Sequence, residues 1–352
     1  MKKYLFLAVA ATAMMASCSN DEVVEMAQGE AIAFDNAFID KSTRSIDPSI
    51  TTETLGEFKV YGCVANGADA SGATNIFAGL AVKSTDKGQT WSYDNNYIQY
   101  WQAGKVYDFA ALGQDEENIT TDANGMPTAV EYTLADESQK DLIHAFVENQ
   151  VGQATNNPVV AFTFKHQLSK VKFAVTNGFP ANSNTTIKVT NIKITNADQT
   201  NTLSLSTSGN TWGEKASGNQ VLTFGAIVAD AAEGENQTNT AVAIEPTKKL
   251  YSYYEKLIIP AEKEFIITFD VEVIQGGVSS TFSHTTDKAP IKATIPFELG
   301  KSYILSATLS GDNVNPDAAL QPIVFSATVA DWGNDVEYVN PADVTPDVTP
   351  GE

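Results

Sequence analysis

The sequence predicts an all-β fold made of two tandem β-sandwiches. Apolar and polar residues alternate with a period of two in many short segments, and Asn, Gly, Asp and Pro cluster between these segments. No long segment has the 3.6-residue apolar period of an amphipathic helix. At 352 residues the chain is too long for one ordinary core, because a domain has about 150 residues. Two sandwiches of ordinary size fit both observations.

Alternating apolar residues mark the individual strands. The first is Ala31–Ile39, in which Ile32, Phe34 and Phe38 share one face. Further stripes lie at Phe58–Val64, Tyr107–Ala110, Val160–Leu168, Phe265–Val273 and Tyr303–Leu309. The last pattern, Pro322–Ala330, has four apolar residues at alternate positions: Ile323, Phe325, Ala327 and Val329.

The domain boundary is placed at the richest turn cluster, Asn177–Asn184. Just before it, the apolar face changes parity between Leu168 and Val171, which predicts a β-bulge at Ser169-Lys170. The segment Asp136–Asn149 is compatible with one or two helical turns. We therefore expect an N-terminal sandwich at 45–178 and a C-terminal sandwich at 184–320, followed by a strand and a disordered tail at 321–352.

The N-terminus has the features of a bacterial lipoprotein signal. Lys2 and Lys3 precede the apolar run Tyr4–Met15, which is too short to span a membrane. Small residues then lead directly to Cys18, so cleavage after residue 17 would leave a cysteine for lipid attachment. The alternative is ordinary signal cleavage with Cys18 as a free thiol. We expect residues 1–17 to be a signal peptide and an acylated Cys18 to hold the precursor in the outer membrane.

Composition excludes several kinds of partner. Acidic residues outnumber basic ones 43 to 22, the formal charge is −21, and the only arginine is Arg44. Nucleic acids require a basic face, and an anionic membrane surface would repel this chain. Cys63 is the only cysteine besides Cys18, so an acylated Cys18 leaves no intrachain disulfide. We predict that Cys63 is a small core residue of a strand.

The sequence shows no pattern that predicts catalysis. His144, His166 and His284 lie far apart and outside metal-binding spacings. Phosphate-binding and nucleophile-elbow motifs are absent from the sequence. The acidic cluster Asp115–Asn118 could bind calcium, but such clusters in β-connections are more typical of turns. We expect no enzyme activity, no cofactor and no metal.

A group of aromatic residues leaves a binding function open as an alternative. Aromatic side chains could stack on sugars as a lectin platform, although in β domains they more often pack in the core. The group consists of Trp91, Tyr93, Tyr97, Tyr100 and Trp101. It favours, as the alternative, a surface adhesin or lectin that binds a glycan or a protein.

Arg44 lies in the polar segment Lys41–Pro48, between two strand patterns, where an extended backbone suits a protease. Composition alone favours the other interpretation, a solvated linker cation. Together with other motifs, however, the sequence resembles the fimbrillin family of Bacteroidales, the pilins of type V pili, over essentially the whole chain. The matching pieces are Met15–Cys18, Ile32–Phe34, Ser42–Arg44, Tyr100–Trp101, Gly104–Ala110, Asp141–Ala145, Phe162–Val171, Gly300–Tyr303 and Asp331–Trp332.

The resemblance implies two transthyretin-like β-sandwiches and assembly by strand exchange. In such pilins an arginine-specific surface protease removes the lipid and the first strand, and a neighbouring subunit's C-terminal strand fills the vacated groove. Applied to this sequence, the resemblance implies that cleavage between Arg44 and Ser45 removes the pro-segment 18–44. Ile32, Phe34 and Phe38 would cover the groove before cleavage. The donor strand would cover it afterwards with Ile323, Phe325, Ala327 and Val329.

The resemblance therefore predicts a structural subunit of a cell-surface fimbria, most simply of the shaft. Its partners would be copies of itself or related fimbrillins, joined head to tail, and the arginine-specific protease. A tip subunit, an anchor subunit and a lipid-retained adhesin are the alternatives. Removing residues 1–44 would also leave a body without arginine, which the same protease could not cut.

Overall fold

A computed structural model describes residues 29–39, 50–65, 72–113, 118–214, 216–229, 237–288 and 290–332, without the side chains of 36–39. The predicted all-β class is confirmed. Within the described residues, helical backbone is confined to the short 3-10 helix Asn95–Tyr97. This part of the chain contains no helix with the length and apolar character needed to cross a membrane.

The described strands follow one another along the whole chain. In order, they are β1 Phe34–Ile39, β2 Glu57–Ala65, β3 Thr74–Lys83, β4 Val106–Gly113, β5 Ile119–Thr121, β6 Pro127–Thr133, β7 Ile143–Val151, β8 Val160–His166, β9 Ser169–Asn177, β10 Thr185–Ser204, β11 Thr211–Trp212, β12 Ser217–Gly225, β13 Ile227–Val228, β14 Lys249–Ser252, β15 Lys256–Ile258, β16 Glu262–Gln275, β17 Val278–His284, β18 Ile291–Pro296, β19 Lys301–Leu309 and β20 Ser326–Asp331.

The first sheet has the strand order β1-β8-β7-β4-β2-β3. Burial alternates along β8 as its sequence pattern predicts, because successive side chains of a strand point to opposite faces. One face of the sheet builds an aromatic core around Phe58, Phe109 and Phe162, all fully buried. The segment between β3 and β4 packs on this core with Trp91, Tyr93 and Trp101.

Two further sheets complete the described structure. The second sheet follows the order β17-β16-β10-β6-β5, with β11 and β12 also paired to β10 and β18 to β16. The third follows β13-β14-β9-β19-β20, with β15 also paired to β9. Their apolar residues share one large core with the opposite face of the first sheet, which contributes Tyr61, Ala110 and Leu112.

Strand pairing crosses the boundary predicted between residues 178 and 184. β9 precedes that boundary, yet it pairs with β14 and β19 of the C-terminal half. The bulge predicted at Ser169-Lys170 is wrong. β8 ends at His166 in the first sheet, and β9 begins at Ser169 in the third sheet. The apolar face changes parity here because the chain leaves the first sheet and enters the third. The two strands belong to different sheets and therefore need no common register.

Helical turns were considered for Asp136–Asn149. The second part of this segment forms a strand instead. Ile143–Val151 form β7, which lies between β4 and β8 in the first sheet. The apolar spacing of this segment fits a helix or a strand when taken alone. The two neighbouring strands provide pairing partners on both sides, and this tertiary context decides the conformation.

The longest described strand, β10, pairs with strands from both halves of the chain. It spans twenty residues. Its first part pairs with β16 from Thr185 to Ile194, and its last part pairs with β6 from Thr200 to Ser204. β12 pairs with β10 from Ile192 to Thr200 and so overlaps the end of the first region and the start of the last. Continuous backbone hydrogen bonding therefore joins the two halves, in addition to side-chain packing.

Candidate functional site at two sheet edges

The predicted pro-segment strand forms one edge of the first sheet. β1 pairs in parallel with β8, and its register places Phe34 beside Val160. The N–H of Val160 donates to the carbonyl of Ala33 over 2.9 Å. Ala31, just before β1, forms an antiparallel bridge with Tyr100. Two different segments of the chain thus hold this strand by backbone hydrogen bonds.

Ile32 and Phe34 are buried, as predicted, with 1% and 3% of their surface exposed. The hydroxyl of Tyr93 donates to the carbonyl of Ile32 over 2.6 Å. The Phe34 ring lies among four other aromatic rings, with centroids 5.5 to 6.0 Å away. We call these four rings the Phe34 socket: Phe77, Tyr93, Phe109 and Phe162. A side chain in such surroundings contributes strongly to the stability of its core.

Glu30 anchors the start of the same segment. Its carboxylate accepts hydrogen bonds from the backbone N–H groups of Asn156 and Asn157 over 3.0 and 2.6 Å. These hydrogen bonds hold the pKa of Glu30 below its usual range. In the sequence, Glu30 is an acidic residue that directly precedes the first strand pattern. No local pattern connects it with residues more than a hundred positions later in the chain.

The predicted donor strand Pro322–Ala330 is a strand only from Ser326 onward, where β20 forms an edge of the third sheet, and Ile323 and Phe325 precede it. β20 pairs antiparallel with β19, from Asp331 opposite Lys301 to Ser326 opposite Ser306. The side chains of Lys301 and Asp331 form an ion pair at one end of this pairing. The C-terminal strand is therefore folded back onto its own subunit.

The donor-strand residues differ in burial. Ile323 is buried, and the partly buried ring of Phe325 lies 5.3 Å from that of Phe173. Ala327 and Val329 are exposed, and half of the surface of Val329 (50%) is accessible. Only the first part of the predicted apolar stripe thus belongs to the subunit's own core.

The remaining predicted site residues lie outside the described part of the chain. They are Cys18, Arg44, Ser45 and the side chain of Phe38. β1 ends at Ile39 and the described chain resumes at Ile50, so the predicted processing site falls between them. Lipidation and processing remain predictions, as does the disordered tail predicted at Asn340–Glu352.

A comparison with known families decides the identity of the chain. Residues 43–332 match the model of a family described as fimbrillin-like. The chain belongs to the fimbrillin-like family. The match includes every described strand except β1, and it begins at Thr43, next to Arg44. The family resemblance found in the sequence is therefore confirmed.

A solved structure shares the fold of this fimbrillin-like protein. A fimbrial protein from Bacteroides vulgatus ATCC 8482 has 14% identity and a TM-score of 0.59, over 86% of this chain and 99% of that one. The tip fimbrial protein Mfa3 from Porphyromonas gingivalis, truncated at its C-terminus, has 11% identity and a TM-score of 0.37, over 84% and 99% of the two chains. No curated protein matches the sequence.

The aromatic residues considered as a lectin platform fall into two groups in the fimbrillin-like fold. Trp101 is buried, and Trp91 and Tyr93 pack against the core of the first sheet. Tyr97 and Tyr100 are exposed, at 59% and 37%. Three of the five residues therefore have a packing role, and two lie on the surface.

The histidines and the free cysteine of this fimbrillin-like protein are buried within the fold. His144, His166 and His284 each form a hydrogen bond to a different neighbour. Cys63 is buried in β2, as predicted, and burial raises the pKa of its thiol to about 11. Among the described residues, no group of three or more His, Cys, Asp or Glu side chains could hold a metal ion.

His144 should make stability depend on pH. Burial lowers its pKa to about 4 from the usual 6.5. Between these values the unfolded chain binds the proton and the folded chain does not, so stability should fall as the pH falls from about 6.5 to about 4. At about 1.4 kcal/mol per pH unit, the expected loss is on the order of 3 kcal/mol.

The variant His144→Gln tests this pH effect. Nδ1 of His144 accepts a hydrogen bond from the side chain of Asn210 over 3.0 Å, and a glutamine oxygen can accept the same bond without titrating. Urea unfolding of both proteins at pH 7 and pH 4.5 should show a smaller drop in unfolding free energy for the variant. An equal drop in both proteins would contradict the prediction.

Proposed function

We propose that this protein is a shaft subunit of a cell-surface fimbria, made as an outer-membrane lipoprotein and assembled by strand exchange after cleavage behind Arg44. The observation that carries the proposal is the position of β1. It is an edge strand, its segment buries Ile32 and Phe34, and it directly precedes the stretch that contains Arg44. Family membership supports the role of a fimbrial subunit.

Removal of the segment up to Arg44 would leave one strand edge without a hydrogen-bonding partner and one apolar site empty. The backbone edge of β8 would lose its partner, and the Phe34 socket would lose the ring that fills it. An unpaired edge beside vacant apolar sites favours the addition of a strand from another chain. The precursor is thus blocked by its own first strand.

The C-terminal segment of a neighbour fits these requirements. Ile323-Val324-Phe325 repeats the spacing of Ile32-Ala33-Phe34, with the same two large apolar residues. Burial of each of these side chains contributes about 1.5–3 kcal/mol, and each ladder hydrogen bond adds about 1 kcal/mol. Because groove and donor lie on different parts of one chain, the contact is head to tail and builds a filament.

Treatment of the surface-exported precursor with an arginine-specific protease tests the proposal. We expect a product that begins at Ser45 and a ladder of oligomers on unheated SDS gels. The same sample is used to sequence the new N-terminus and to record the ladder. A product that begins at Ser45 but stays monomeric would overturn strand exchange as the assembly route.

Two C-terminal deletions locate the donor strand. Deletion of residues 321–352 removes Ile323 and Phe325 and should permit cleavage but stop growth of the polymer. Deletion of residues 333–352 keeps β20 and serves as the matched control, which should polymerise. If subunits without residues 321–352 still form long polymers, the donor strand lies elsewhere.

A further inference from the structure

A buried cluster holds the end of β20 in its own subunit. Trp332 follows β20 directly and is 3% exposed, and its N–H donates to the carbonyl of Gly300 over 2.9 Å. The indole stacks on the ring of His166 with centroids 4.2 Å apart and planes at 6°. The ammonium group of Lys170 lies 5.6 Å from the centre of the indole ring. The last residue of the described chain is therefore firmly packed.

His166 is itself fixed by Asp141. Nδ1–H of His166 donates to Oδ2 of Asp141 over 2.7 Å, and both side chains are buried. The same oxygen accepts the N–H of Ile50 over 2.9 Å. Ile50 is the first described residue after the predicted processing site. One carboxylate oxygen therefore connects Ile50 with the ring on which Trp332 stacks.

The rest of β20 is held less firmly. It has one neighbouring strand, and five of its six residues are exposed, all except Ala330. Exposed edge strands with few apolar contacts open more easily than core strands. Trp332 is thus the main buried contact at this end of the strand.

The cluster is buried, but some of its polar atoms lack hydrogen bonds to the described residues. Nε1 of Trp332, Nε2 of His166 and Oδ1 of Asp141 are buried and have no hydrogen-bond partner among the described residues. A buried polar atom without a partner lowers stability, because water would satisfy it in the open state. The arrangement therefore favours opening once one of its contacts is lost.

We propose that Trp332, His166 and Asp141 form a latch that retains the C-terminal strand until processing, and that loss of the hydrogen bond between Ile50 and Asp141 after cleavage opens it. This inference rests on the proposed function and adds the control of its donor strand. A strand held in its own subunit cannot pair with a neighbour. Cleavage would thus both empty the groove and free the strand that fills a neighbour's groove.

Hydrogen exchange of the full-length precursor tests the latch directly. The Trp332→Leu variant should speed amide exchange in β20 on the order of tenfold, since the aromatic stacking is lost. Trp332→Phe keeps an aromatic ring and should exchange more slowly than Trp332→Leu. Trp91→Leu is the matched control, because Trp91 also has a buried, unpartnered Nε1 but packs on Phe58 in the other core. Unchanged exchange in β20, or equal acceleration throughout the chain, would overturn the latch.

The link to processing is tested in the same assay at a protein concentration too low for assembly. Cleaved wild-type protein should exchange faster in β20 than the uncut precursor, and uncut Asp141→Ala, which has no side-chain acceptor for Ile50, should already show the faster rate. Ladders without any change in β20 exchange would overturn the latch and leave the proposed function intact. Faster exchange without ladders at high concentration would support the latch and overturn strand exchange.

Discussion

A precursor with Arg44→Ala is expected to remain uncut and monomeric. Arg44 is the only arginine of the chain, so an arginine-specific protease has no other peptide bond to cut. The pro-segment would then stay in place, with Ile32 and Phe34 still buried and the edge of β8 still paired. The ladder of oligomers should fall to the background of untreated protein.

The neighbouring cation provides the control for this experiment. Lys41→Ala changes the charge of the same segment by the same amount, and it should be processed and polymerise like the wild type. N-terminal sequencing and unheated SDS gels of both variants give the result. Polymers of normal length from Arg44→Ala would show that processing at this residue is not required.

The Phe34→Ala precursor is expected to lose about 3–5 kcal/mol of unfolding free energy. Replacement of a fully buried phenylalanine by alanine removes apolar burial and leaves a cavity, and values of this size are usual for it. Here the cavity would lie among the rings of the Phe34 socket. Chemical unfolding of the uncut precursor measures the difference.

Two controls separate this effect from a general loss of packing. Tyr97→Ala removes an exposed aromatic residue of the same half and should change stability by less than about 0.5 kcal/mol. After processing, moreover, the wild type and Phe34→Ala become the same molecule, because residue 34 leaves with the pro-segment. A stability difference of less than about 1 kcal/mol between the uncut precursors would mean that Phe34 does not hold the first strand.

Period-two alternation was sufficient to predict the strand class and the buried faces of individual strands. Phe34 and Phe162 illustrate this, because each lies on the apolar side of its pattern and each is buried. Alternation specifies which side of a strand is apolar but not which strand lies beside it. The partners of β9 and β6 are therefore not readable from the sequence, and the boundary predicted at residues 178–184 cuts across their sheets.

The candidate site shows the same limit. Ile32, Phe34 and Ile323 follow from local patterns, whereas Glu30 and Asp141 act through partners far away in the chain. Asp141 lies in a segment with mixed signals, and its hydrogen bonds to Ile50 and His166 depend on the arrangement of the first sheet. Such contacts arise from topology and have no local signature.

The length of β10 has a mechanical consequence for a filament under load. At about 3.3 Å per residue, its twenty residues extend on the order of 65 Å. Force applied along this axis would load the hydrogen bonds between β10 and β6 in shear, and these are the bonds of β10 that join the two halves. Bonds loaded in shear must break together, whereas an unzipping strand loses them one at a time. The two halves of a subunit would therefore resist separation along this axis.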